Sequence, residues 1–230
     1  EWLRYRMALV QTQTMTKNRI HATLHRHGIL HGYSDLFGKA GRQFLQTLAE
    51  ADEPLRDSAR QTLLGYLRLL EQVRRQIAQV TRTIRKLVSH NPQGELWRSL
   101  PGIGWVLAYT LQAEVGDLAR FPDGRHLASY GLLTPVANDS GEQDQETPIG
   151  RHVGHAGRRT LKWAFIEAAH GAIRKSKTFR AFFDRRTDGG KKDKNRGYIA
   201  TAHQLCLVGF ACVKKQRRYT EARPARPGSL

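Results

Sequence analysis

Leu63, Tyr66, Leu70, Val73, Ile77, Val80, Ile84 and Leu87 recur at alternating intervals of three and four residues. That spacing is a heptad seam and predicts a single helix of about 34 residues, about 50 Å long at a rise of 1.5 Å per residue. A small domain cannot cover a stripe of that length with loops. The seam therefore has two ways to leave water: folding back on another long helix of the same chain, or meeting a second copy. The second route makes a homo-oligomer through the coiled coil the expected assembly. Residues 2–28 supply a candidate for the first, since Trp2, Leu3, Met7, Val10, Ile20 and Leu24 fall at helical spacing and Gly28 stands where a helix stops.

The pattern elsewhere is also helical. "RQFLQTLAE" predicts a short helix before Pro54, and "SHNPQG" at 89–94 interrupts the long helix and marks a domain boundary. In "LWRSLPGIGWVLAYTLQAEV", apolar residues before and after Pro101-Gly102-Ile103-Gly104 predict helix, tight turn, helix. "DGRHLASYGLL" reads as a short helix and "GRRTLKWAFIEAAHGAIRK" as a strong one. "KTFRAFFDRRTDGGKKDKNRG" reads as basic and turn-rich, and "YIATAHQLCLVGFACVKKQRRY" as a closing buried helix. The expected fold is all-α, with "PIGRHVG" at 148–154 the one candidate for a small β-hairpin. The chain then divides into N-terminal helices (1–53), a coiled-coil helix (54–91), a compact helical domain (92–219) and a disordered tail (220–230).

Charge changes the picture most. The 230 residues carry a formal +18, and the isoelectric point is near 10.6. From Arg158 onward, 19 Lys/Arg face 5 Asp/Glu, a balance of +14. Such asymmetry calls for a polyanion, and nucleic acid is the expected one. A membrane surface would require a basic helix with bulky apolar anchors, which the tail "KKQRRYTEARPARPGSL" lacks, and no apolar run reaches the roughly 18 residues of a membrane span. Two cysteines, Cys206 and Cys212, form no disulfide framework and no zinc spacing, in keeping with a reducing cytoplasm.

Candidate chemistry lies in two places. Glu114 and Asp117 are one helical turn apart and can share a divalent cation, or else Glu114 is a solvated helix residue and Asp117 caps the turn that follows. The segment between Arg125 and Arg151 contains no Lys or Arg, four acids (Asp139, Glu142, Asp144, Glu146) and Ser140. A serine needs a base or a cationic field before it attacks a phosphodiester. Arg151, Arg158, Arg159 and Lys162 follow it in sequence. Asp-Ser-Gly is equally ordinary turn chemistry. The turn glycines Gly102 and Gly104, with Ile103 between them, match a helix-hairpin-helix, whose amides and following helix start suit a DNA phosphate. His152 and His155 lack a third ligand, so no metal is assigned to this chain.

The run "LPGIGWVLAYTLQAEVGDLARF", then "HLASYGLLTPVANDSG", then "IGRHVGHAGRRTLKWAFIEAA" resembles, in order and spacing, the serine-containing half of the insertion sequence 110/1111 transposases, relatives of the Piv and MooV invertases. Residues 1–53 then resemble the end of the family's resolvase-like domain and its connector. The resemblance implies DNA strand cleavage and rejoining with Ser140 as nucleophile, and phosphate contacts from Arg158, Arg159 and Lys162. It also implies Mg²⁺ held by four carboxylates lying mostly upstream of Glu1, a structured bridge RNA as partner, and a cytoplasmic, nucleoid-associated location. This chain is then expected to be inactive alone. It departs from the family in having Asp139 where a serine often precedes the nucleophile, and Lys162 where arginine is usual. The competing expectations are a non-enzymatic helix-hairpin-helix nucleic-acid-binding module and a coiled-coil scaffold.

Overall fold

The computed structural model describes residues 1–134 and 158–221, which hold nine α-helices and no strand. The expected all-α class holds, while the hairpin at 148–154 lies outside the described residues. The chain separates into two compact units, Glu1–Thr83 and Ile84–Leu230.

In the first unit, α1 (Trp2–Arg26) contains neither Gly nor Pro and ends at His27 and Gly28, whose φ of +67° turns the chain out of the helix. A loop leads to α2 (Lys39–Glu50) and then to α3 (Asp57–Ser89). Ile20 and Leu24 of α1, Leu45 and Leu48 of α2, and Leu63 and Leu70 of α3 enter one core, joined by Leu36 and Phe37 of the loop. Each such Leu or Ile contributes about 1.5–3 kcal/mol by leaving water. Arg6 Nε donates to Thr81 Oγ1 at 3.1 Å, far along α3 from Leu63, so α1 runs antiparallel beside α3. Arg74 Nη2 donates to the carbonyl of Phe37 at 3.1 Å and fastens the loop.

Most of the heptad seam is thus buried within one chain, with Tyr66 and Ile77 half-buried. Leu63, Leu70, Val73, Val80 and Ile84 are buried, while Leu87 is exposed. The length that suggested a second copy is met by α1, a helix of 25 residues, so seam burial needs no partner subunit.

In the second unit, Asn91 caps α4 (Pro92–Arg98) by accepting from the amides of Gln93 and Gly94, and Pro92 occupies the first helical turn. α5 (Trp105–Val115) follows, then a 3-10 turn (Leu118–Arg120), α6 (Gly124–Tyr130), α7 (Arg159–Lys175), α8 (Lys177–Thr187) and α9 (Lys194–Lys214). α9 is central and packs against α4, α6, α7 and α8. Its Gly209 lies against the fully buried Trp97, whose Cζ3 would be 2.4 Å from any added Cβ. Trp97 in turn meets the edge of Phe165 of α7 at 6.0 Å between centroids.

Two expectations are corrected here. The basic stretch after Lys177 is not all turn. Ser176 caps α8 by accepting from the Phe179 amide, and Phe179 and Phe183, four residues apart, bury one face of it. Only residues 188–193 form the turn, with Asp188, Gly189 and Gly190 at positive φ. Nor does order stop at Tyr219. The Glu221 carboxylate accepts from Ser176 Oγ at 2.8 Å and from the Thr178 amide at 2.9 Å, and Arg218 pairs with Glu95 at 3.4 Å.

Candidate nucleic-acid interface

The turn between α4 and α5 divides its residues between two tasks. Gly102 has φ +84° and is pressed onto α7, where an added Cβ would stand 2.1 Å from the Ala168 carbonyl and 2.5 Å from the Ala172 nitrogen. Ile103 is buried. Gly102, expected at a DNA surface, is half-buried and anchors the turn to α7, while the Ile103 side chain points into the core. Gly104 is exposed, is extended rather than left-handed, and has open space where a Cβ would be. It is the N-cap of α5 and provides no side-chain cap, so the first amides of α5 keep hydrogen-bonding capacity at the surface. Next to them the Trp105 ring lies 3.9 Å from the Arg98 guanidinium and 5.1 Å from that of Arg85.

The second half of the surface is the start of α7. Arg158 and Arg159 are exposed and Lys162 is partly so, and the first turn contains no acid. Cations here oppose the helix dipole, a local cost that an incoming anion removes. Ser140 and Arg151 lie outside the described residues.

The two described ends flanking the serine segment meet. The Arg158 amide donates to the Tyr130 carbonyl at 3.3 Å, and Arg158 Nε donates to Tyr130 Oη at 2.8 Å. Glu114 Oε2 lies 3.8 Å from the same Nε. Arg120 lies 4.8 Å from the centroids of both Phe121 and Tyr130. Burial opposes ionisation of Tyr130, but the hydrogen bond from Arg158 and the positive charge of Arg158 and Arg120 outweigh it and hold the phenol pKa below its ordinary value.

The paired carboxylates separate. Asp117 Oδ1 accepts from the Ala119 amide at 2.9 Å and caps the 3-10 turn, whereas Glu114 turns to Arg158. Among the described residues no three His, Cys, Asp or Glu converge on a metal position, and no helix is long and apolar enough to cross a membrane. His152 and His155 lie outside the described residues.

Tyr130 and Arg120 were not singled out in the sequence. A tyrosine closing an amphipathic helix reads as an ordinary half-exposed aromatic. Its partner Arg158 stands 28 positions on, and no periodicity links residues across such a gap.

Residues 94–184 match the Transposase IS116/IS110/IS902 family. The chain is 29% identical over 143 residues to the insertion element IS116 uncharacterized 44.8 kDa protein of Streptomyces clavuligerus, covering 62% of this chain and 35% of that protein. It is 27% identical over 148 residues to the pilin gene-inverting protein of Moraxella bovis, covering 62% of this chain and 45% of that one. With the transposase for insertion sequence element IS1111A of Coxiella burnetii the identity is 23% over 223 residues, 94% of this chain and 58% of the relative. The chain therefore spans between about a third and six tenths of these relatives' length.

Proposed function

We propose, from the match of residues 94–184 to the IS116/IS110/IS902 transposase family, that this chain acts on DNA by strand cleavage and rejoining with Ser140 as the nucleophile. The observation that carries the reading is the cation-rich start of α7, with Arg158 and Arg159 exposed and no acid in the first turn, close behind the serine segment. Phosphodiester attack by a hydroxyl builds negative charge on the non-bridging oxygens, and preorganised cations stabilise it. Arg158, Arg159 and Lys162 are assigned that role together with Arg151, while Gly104 and the first amides of α5 track the backbone of the same duplex.

The carboxylate set and its Mg²⁺ are assigned to the length the relatives have and this chain does not span. Their task is to lower the barrier to deprotonating the serine. A structured guide RNA is assigned to the remaining basic surface. A homo-oligomer is assigned to exposed apolar residues such as Tyr5, Met15 and Leu69, with Leu87 the exposed end of the seam. Work on DNA sets the site of action in the cytoplasm, with the nucleoid.

Two measurements test the reading. Duplex affinity of the 230-residue chain should fall on the order of 10³–10⁵-fold between about 50 and 200 mM salt if six to ten phosphates are neutralised; a flat profile refutes the nucleic-acid role. In a longer protein that includes the carboxylates, Ser140→Ala should abolish strand exchange and the covalent protein–DNA adduct. Recombination by that variant would leave a non-enzymatic nucleic-acid-binding module as the reading for this half. That second reading is favoured by the separate engagements of Glu114 and Asp117.

A further inference from the structure

Three groups converge where α6 ends and α7 begins, and their donors are incompletely used. Arg158 gives Nε to the Tyr130 phenol at 2.8 Å. Its side chain is 57% exposed, and its two Nη groups have no hydrogen-bond acceptor among the described residues. Arg120 stacks on the Tyr130 ring from the 3-10 turn, 4.8 Å from the centroid, and its fork is likewise exposed. A phenol oxygen that accepts from Arg158 still has its own O–H to donate, and no described residue accepts that proton. The cluster thus offers two guanidinium forks and a hydroxyl donor. Against them stands one carboxylate, Glu114, loosely placed at 3.8 Å. Among the described residues the balance is one net positive charge, and the groups left over are donors.

That is the complement of a tetrahedral oxyanion. A guanidinium fork matches the two non-bridging oxygens of a phosphodiester at once, each of which has lone pairs for a second donor, and a phenol O–H serves one of them or an ester oxygen. We propose that Arg120, Tyr130 and Arg158 form a clamp for a single backbone phosphate of a nucleic-acid strand, fixing the strand at the two ends between which Ser140 lies in sequence. The inference rests on the nucleic-acid reading above and adds Tyr130 and Arg120 to it. Glu114 acts as the placeholder. It holds Arg158 in position without saturating it, and its loose contact yields to a phosphate that both forks grip.

The clamp assigns one phosphate to two arginines, and a salt titration counts phosphates. Binding of a labelled duplex by the whole chain is measured across about 50–200 mM salt, where each neutralised phosphate contributes about 0.9 to the slope of log affinity against log salt. Arg120→Gln with Arg158→Gln should lower the slope by roughly 0.9, one phosphate. Tyr130→Phe keeps the ring under Arg120 and removes only the hydroxyl. It should weaken binding roughly threefold to tenfold, the worth of one hydrogen bond, with the slope unchanged. A slope loss near twice 0.9 in the double variant means two separate phosphates and overturns the clamp. Wild-type affinity in Tyr130→Phe, with the duplex still bound in a salt-dependent way, also overturns the clamp and leaves the nucleic-acid reading standing. Absence of salt-dependent binding by the unmodified chain overturns both.

Discussion

Between residues 1 and 83 the helices are held apart by full-sized aliphatic side chains: Ile20 and Leu24 on α1, Leu45 and Leu48 on α2, Leu63 and Leu70 on α3. Past residue 84 elements distant in the chain approach through glycines, Gly102 of the turn until its backbone nearly meets that of Ala168 and Gly171 in α7, and Gly209 of α9 against the buried ring of Trp97. The first region has one comparably crowded glycine, Gly41, and it meets the loop just before its own helix, at Leu36. The difference teaches where each region is sensitive. An aliphatic core loses stability in proportion to volume removed. A glycine contact loses it when volume is added, because neither backbone atoms nor a fully buried ring can move out of the way.

The comparison is broken most severely at Gly102. Ala there combines overpacking against α7 with a left-handed backbone, costs of about 1–3 kcal/mol each, so a loss on the order of 4 kcal/mol is expected. Three of the four tryptophans, Trp97, Trp105 and Trp163, lie in the second region. In a Trp2→Phe background, denaturation followed by their fluorescence reports that region alone. An unchanged midpoint for Gly102→Ala would mean that the close approach is not what holds the turn.

Leu63→Ala tests the other side and should cost about 3 kcal/mol, within the 2–5 range for a buried leucine. The loss should appear in the circular dichroism transition of the first region and leave the tryptophan signal of the second in place. A matching shift in that signal would show that the two regions do not unfold separately.

Gly104, two positions from Gly102, provides the contrast within one turn. Its Cβ space is open and its backbone is extended. Gly104→Ser should shift stability by no more than about 0.5 kcal/mol, since serine and glycine are close in value as N-caps. Destabilisation on the scale of Gly102→Ala would erase the distinction.

The smallest effect concerns the α6 cap. Asp123 accepts from the His126 ring and from the amides of His126 and Arg125, which lower its pKa to about 2. A folded pKa below the unfolded one stabilises above the unfolded value of 3.8 and loses that contribution as pH falls through about 2. Asp123→Asn keeps the cap geometry without the charge. Its slightly lower melting temperature near neutral pH should merge with that of the parent as pH approaches about 2, and a gap that persists there would exclude the carboxylate charge as its source.

The long helix was legible because heptad spacing is a one-dimensional signal, and the helices on either side of Gly102 because turn chemistry is local. Which element would cover the seam was not legible: Arg6 with Thr81 and Ile20 with Leu63 are matches of shape between segments, and periodicity leaves them open to a second copy. α8 was missed for a related reason. Its polar face is so rich in Lys and Arg that Phe179 and Phe183, four apart, were outvoted by composition. At the candidate site, Arg158, Arg159 and Lys162 were visible as charge. Tyr130 and Arg120 were not, because a phenol set between guanidinium groups exists only after α6 and the 3-10 turn are laid beside the start of α7.

The position of α9 has a consequence for how the chain comes off the ribosome. The core uniting Ile20 with Leu70 is complete once the first 83 residues have emerged, so that region can condense while synthesis continues. The second region can complete its core only later. α4, α6, α7 and α8 all lean on α9, and the fastenings of α4 and α8 wait further still, for Arg218 and Glu221. α4, α5, α7 and α8 can make their mutual contacts earlier, but the shared packing on α9 waits until the last helix is delivered. During that interval the basic surface that is to meet DNA belongs to a nascent chain still threaded through ribosomal RNA, itself a polyanion.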